Sequence, residues 1–109
     1  MKFNHYYEKL FGTNLYWFRG SRKEYACLVK KEFRQIAPKR LDSYGTFEVY
    51  KRNGIWVGVI WLRNRNFSVL VHECFHAVHW NLFDKGLTLT DSSEETYAYL
   101  LQSLVKEIK

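Results

Sequence analysis

Apolar positions along the chain change period several times, and each change marks an element. Aromatics are dense in the first twenty residues but follow no clean period; only Asn14 to Phe18, between Gly12 and Gly20, reads as a short strand. From Ser21 the spacing turns helical through Tyr25, Leu28, Val29, Phe33 and Ile36, and Ser21 with Glu24 has the interval of a capping box. An amphipathic helix is therefore predicted from Ser21 to Ile36, ended by Pro38. After a polar connector, Thr46 to Lys51 and Ile55 to Arg63 are β-rich runs joined through Arg52-Asn53-Gly54. Asn-Gly supplies the positive φ angles a tight hairpin needs. The stretch Ile55 to Leu62 is apolar on both faces and is expected to be the more buried strand, with Gly58 a place for a close-lying ligand backbone.

A helix beginning at Asn66 or Ser68 and reaching about Asn81 comes next. Its apolar stripe of Leu70, Val71, Cys74, Phe75 and Val78 leaves His72, His76 and His79 on a neighbouring face. Phe83 to Thr90 reads as a loop. Asp91-Ser92-Ser93-Glu94-Glu95 then opens a last helix running to about Glu107, with Ser92 and Glu95, or Asp91 and Glu94, at capping-box spacing. Leu100, Leu101, Leu104, Val105 and Ile108 are its core positions. The order implies an α+β fold in a single domain of 109 residues: an N-terminal helix, a β-hairpin in a small antiparallel-containing sheet, and two further helices.

With 47% hydrophobic and 18% aromatic residues the chain has enough apolar surface to fold instead of remaining disordered. Its longest apolar runs fall far short of the roughly 20 residues that span a bilayer, and the first residues lack the unbroken apolar stretch of a signal peptide, so a cytosolic protein with no membrane contact is expected. Cys27 and Cys74 have no paired spacing and read as free thiols, Cys74 buried. Much of the net charge of +6 lies between Arg19 and Arg40. A solvated helix face is its plainer meaning, and a nucleic acid would be met only through non-specific basic charge.

Candidate chemistry centres on His72-Glu73-Cys74-Phe75-His76, an HExxH motif on a predicted helix. Side chains four apart stand above one another, so two imidazoles can converge on one Zn²⁺ at about 2.0–2.1 Å. Glu73 projects beside them, placed to take a proton as general base. A catalytic zinc needs a third protein ligand. Glu95 is the candidate, in the first turn of the last helix with the small Ala98 three residues on; Glu94 projects about 100° away and reads as a cap or surface charge. His79 is seven residues from His72, about 10.5 Å along a helix, too far for one ion to join all three histidines.

HExxH followed by Glu95-Thr96-Tyr97-Ala98-Tyr99 resembles the gluzincin superfamily of zinc metallopeptidases, and most of all its minimal, often phage-encoded members, the minigluzincins. The specific likeness covers Trp56 to about Leu104. Tyr99 stands where the family commonly carries an Asp or Asn that supports a zinc histidine. The resemblance implies a zincin-like fold, one zinc on His72, His76 and Glu95, and a zinc-activated water attacking a peptide carbonyl of a peptide or protein substrate with Glu73 as base. It also implies an edge strand within Thr46 to Arg63 that pairs with an extended peptide. Tyr97, Tyr99, His79, Tyr6 and Tyr7 are open candidates for the donor that steadies the oxyanion. The alternative is a non-catalytic zinc-stabilised domain that binds protein or nucleic acid. A DNA-associated protease of the SprT type would need a third histidine, and none follows His79.

Overall fold

The computed structural model describes residues 1–38 and 43–109. In these the chain forms β1 (Asn4–Glu8), β2 (Thr13–Arg19), α1 (Arg22–Phe33), β3 (Gly45–Arg52), β4 (Ile55–Leu62), α2 (Phe67–Asp84) and α3 (Glu94–Ile108). The strands make one mixed sheet in the order β1-β2-β4-β3, with β2 and β4 parallel and the outer pairs antiparallel. This is an α+β fold, as its element order predicts.

Alternation along β4 explains why that strand is apolar on both faces. Val57, Val59 and Trp61 face one core with Tyr25, Leu28, Val29 and Phe33 of α1, while Ile60 and Leu62 face a second core with Leu70, Cys74, Ala77 and Val78 of α2 and Leu100 and Leu104 of α3. The sheet is thus the middle layer, with α1 on one side and α2 and α3 on the other. On the α1 side Tyr25 stacks on Trp61 at 5.5 Å between ring centres, and its hydroxyl meets that of Tyr50 at 2.9 Å. Asn53 (φ 51°) and Gly54 (φ 80°) turn the β3–β4 hairpin as Asn-Gly should.

Several expectations are corrected. The segment before Gly20 holds two strands, not one: β1 pairs with β2 from Asn4↔Trp17 to Glu8↔Thr13, and buried Glu8 accepts hydrogen bonds from the backbone N–H groups of Leu10 (2.7 Å) and Phe11 (3.0 Å) to close the turn. Helix α1 ends at Phe33, before Pro38 can act, because Arg34 adopts a left-handed conformation (φ 56°) and donates its N–H to Lys30 O. Ile36 is consequently 89% exposed, not a core residue. Gly58 admits the core and not a ligand, since a Cβ there would lie 2.6 Å from Leu15 Cδ2 and 2.9 Å from Phe47 Cε1. The connector after Pro38, with Lys39 and Arg40 of the basic run, lies outside the described residues.

Asn66 caps α2, its side chain accepting from Val69 N at 3.3 Å, and the helix runs on to Asp84. Neither capping box expected at α3 forms: Ser93 is the N-cap and makes no side-chain cap bond, its hydroxyl donating to Thr88 O and accepting from Thr90 N instead. Phe75, placed in the core stripe by its spacing, is 40% exposed, and Ala77 and Leu82 fill the core in its stead. Cys27 and Cys74 are both free, the first exposed and the second buried. No helix among the described residues is long and apolar enough to cross a membrane.

Candidate metal centre

Helix α2 carries the motif, and its geometry sets the site. His72 and His76 are exposed on one side of the helix, their rings edge to face with centres 4.7 Å apart, and their Nε2 atoms lie 3.2 Å from each other. Two nitrogens held about 2.0–2.1 Å from one ion at a tetrahedral angle stand about 3.3–3.4 Å apart. The pair therefore has the spacing of two ligands of a single small cation. Glu73 completes a group in which one ligand atom from each of the three residues lies within 4.8 Å of the others.

Unlike the two histidines, Glu73 is buried, 7% exposed, because it turns inward between α2 and the start of β3. Gly45 makes that possible: a Cβ there would fall 3.3 Å from Glu73 Cγ and 2.7 Å from Val69 Cγ1. Burial, and secondarily the charge of Glu73, push the neighbouring Cys74 thiol up to about 12, which makes it an inert packing group.

These residues line a groove of about 520 Å³ between α2 and β3, whose walls include Ser43, Thr46, Phe47, His79 and Trp80. Beyond Glu73 a second depression of about 340 Å³ continues along Tyr44, Ser68 and Val69. Strand β3 is at the end of the sheet, so its backbone facing away from β4 borders this trough. Sequence reasoning missed Ser43, Gly45, Phe47 and Trp80. Ser43, Gly45 and Phe47 lie before the motif in sequence, and which strand edge meets a helix is set by pairing order, not by local pattern; Trp80 follows His76 on α2 itself.

Glu95 stands outside the compact group, exposed in the first turn of α3 beside the equally exposed Glu94. Ala98 is exposed too. Here α3 meets α2 through Tyr97, whose ring is 6.3 Å from that of His79. His79 itself is not part of the group that could hold a metal ion.

Of the five donor candidates, His79 alone is among the groove-lining residues. It stacks between Phe75 (6.3 Å) and Phe83 (5.8 Å), which fixes the ring plane. Tyr97 donates its hydroxyl to Leu87 O at 2.8 Å, and Tyr6 pairs with Ser103. Tyr99 packs on Phe11, and Tyr7 lies on β1 at the opposite edge of the sheet. Comparison of the chain with protein-family models, with curated proteins and with solved structures yields no match.

Proposed function

We propose that this chain is a small zinc-dependent peptide hydrolase, a minimal zincin-like domain of gluzincin type, in which His72, His76 and Glu95 hold Zn²⁺ and Glu73 is the general base. One observation carries the reading: two imidazole nitrogens 3.2 Å apart beside a buried carboxylate, at the floor of a groove bordered by an edge strand.

Zinc bound there supplies a Lewis acid that polarises a carbonyl and acidifies water. The remaining work falls to the chain. An extended peptide lies along the free edge of β3, main chain to main chain, which aligns its carbonyl with the floor of the groove. Glu73 accepts a proton from the attacking water and passes it to the leaving amine. His79, held by its two ring neighbours, donates to the oxygen on which negative charge develops. Glu95, in the first turn of α3, would complete the ligand set.

Metal content decides the first half. Protein purified without added zinc is expected to hold one zinc per chain, lost in His72→Ala, reduced in Glu95→Gln and retained in Glu73→Gln. Hydrolysis of a peptide library decides the second half, present in the parent and lowered about a hundredfold or more in Glu73→Gln, the range a positioned base contributes. No zinc after reconstitution removes the proposal entirely. Zinc with peptide cleavage untouched by Glu73→Gln removes Glu73 as the base, and zinc with no cleavage at all leaves the non-catalytic zinc domain.

A further inference from the structure

Charge is distributed unevenly along this chain. Fourteen of its seventeen Lys and Arg residues precede Asn66, against five of its eleven Asp and Glu residues, so α2 and α3 carry net negative charge and the rest carries a large positive excess. The fold turns that asymmetry in sequence into one in space, because α1 covers the face of the sheet opposite the metal groove.

On α1 the two acids are already engaged. Glu24 accepts the backbone N–H of the N-cap Ser21 at 2.9 Å, and Glu32 faces Arg52 at 3.7 Å. Lys23, Lys30, Lys31 and Arg34 are exposed, and troughs of about 670 and 490 Å³ flank the helix. Arg22, Lys23 and Lys30 border the first and no acid does so; Lys31, Arg34, Lys51 and Arg52 border the second, with Glu32 as its one acid. Cations therefore stand on both sides of one exposed helical ridge. Beyond its N-terminus Arg19 and Arg65 are near enough to interact: burial, and then the Arg65 charge, hold the Arg19 guanidinium below its usual value.

We infer that the α1 face binds the phosphodiester backbone of a nucleic-acid duplex, with α1 in a groove and its two cationic flanks on the two phosphate rows. A helix about 10–12 Å across fits a major groove about 12 Å wide. An anionic membrane suits this face less. Surface helices enter lipid with a row of bulky apolar side chains, whereas Tyr25, Leu28, Val29 and Phe33 of α1 all point into the core and the exposed Ile36 at the first trough lies past the end of the helix. Single strands suit it less as well, since the rings they would stack on are packed beneath α1.

The test compares two triple variants with the same change in net charge and matched thermal melts. One is Lys23→Gln, Lys30→Gln, Lys31→Gln on α1; the other is Lys9→Gln, Lys85→Gln, Lys106→Gln, all exposed and outside α1. Binding of a short labelled DNA duplex is followed by fluorescence anisotropy from about 50 to about 200 mM salt. The α1 variant should bind about tenfold or more weakly and lose about three from the slope of log K against log salt, while the control stays within about twofold of the parent. Equal losses in both would show attraction to net charge only and overturn the site. Absent binding at the lowest salt, or binding that vesicles of anionic lipid abolish at matched charge, would overturn it equally.

Discussion

A methyl group added at Gly45 tests whether the first residue of β3 seats the proposed base. The new Cβ would meet Val69 Cγ1 at 2.7 Å, the backbone O of Trp61 at 3.0 Å and Glu73 Cγ at 3.3 Å. The Trp61 oxygen belongs to the ladder of β4 and cannot swing aside, whereas a valine branch can be removed. Gly45→Ala is expected to cost about 1–3 kcal/mol in urea unfolding, as overpacking does. Adding Val69→Ala should return part of that loss and no more, because the backbone contact remains. An unchanged unfolding midpoint in Gly45→Ala would mean that β3 and α2 are looser at the site than these distances say. At this scale the sequence was legible for His72, Glu73 and His76, whose relation is fixed by helical spacing alone. It was not legible for Gly45, which has an ordinary turn residue's appearance until α2 is laid across it.

At the scale of elements, α1 offers the clearest case of a local signal that holds. Ser21 and Glu24 form the reciprocal cap: Glu24 N donates to Ser21 Oγ at 3.1 Å, and Ser21 N to Glu24 Oε1 at 2.9 Å. The Ser21 backbone N–H first, and the Ser21 side chain second, hold the Glu24 carboxyl below its usual value. A carboxyl so lowered stabilises the fold fully above its unfolded pKa of about 4.3, and the contribution disappears as pH falls through the lower folded value. Glu24→Gln should therefore melt below the parent at pH 6 and approach it near pH 3. Ser21→Ala, which removes the hydroxyl acceptor, should lose about 0.5–2 kcal/mol at neutral pH. A constant gap between parent and Glu24→Gln across that range would exclude the linkage. The other end of α1 was misread because Phe33-Arg34-Gln35-Ile36 continues the apolar period while Arg34 leaves helical geometry. The strands before Gly20 were obscured for another reason. Covered on both faces, β2 places Leu15 and Trp17 against one core and Tyr16 and Phe18 against the other, and it lacks the polar alternation of a half-exposed strand. Its parallel pairing with β4, across some forty residues of chain, has no local signature at all.

Across the whole molecule, the question is whether zinc would build the fold or merely occupy it. Helix α2 is held by Leu70, Cys74, Ala77, Val78 and Leu82, which pack on Leu100, Leu104 and the sheet without help from either histidine. His72 and His76 point away from that core and are exposed. The chain should therefore fold without metal, unlike a small zinc finger, whose ligands replace a core it does not have. Zinc at a hundred times its dissociation constant would add about 2.7 kcal/mol, which for a chain of this length raises the melting temperature by about 10 °C. His72→Ala should melt like the metal-free parent and ignore zinc. If Glu95 is the third ligand, the ion also ties the first turn of α3 to α2, a junction that otherwise rests on Tyr97 and its bond to Leu87. Amide exchange at Glu95 to Ala98 should then slow on adding zinc in the parent and not in Glu95→Gln. A chelated protein that has lost its helical circular dichroism would point instead to a structural zinc. Zinc-induced protection confined to α2 would leave the histidine pair standing and remove Glu95 from the ligand set.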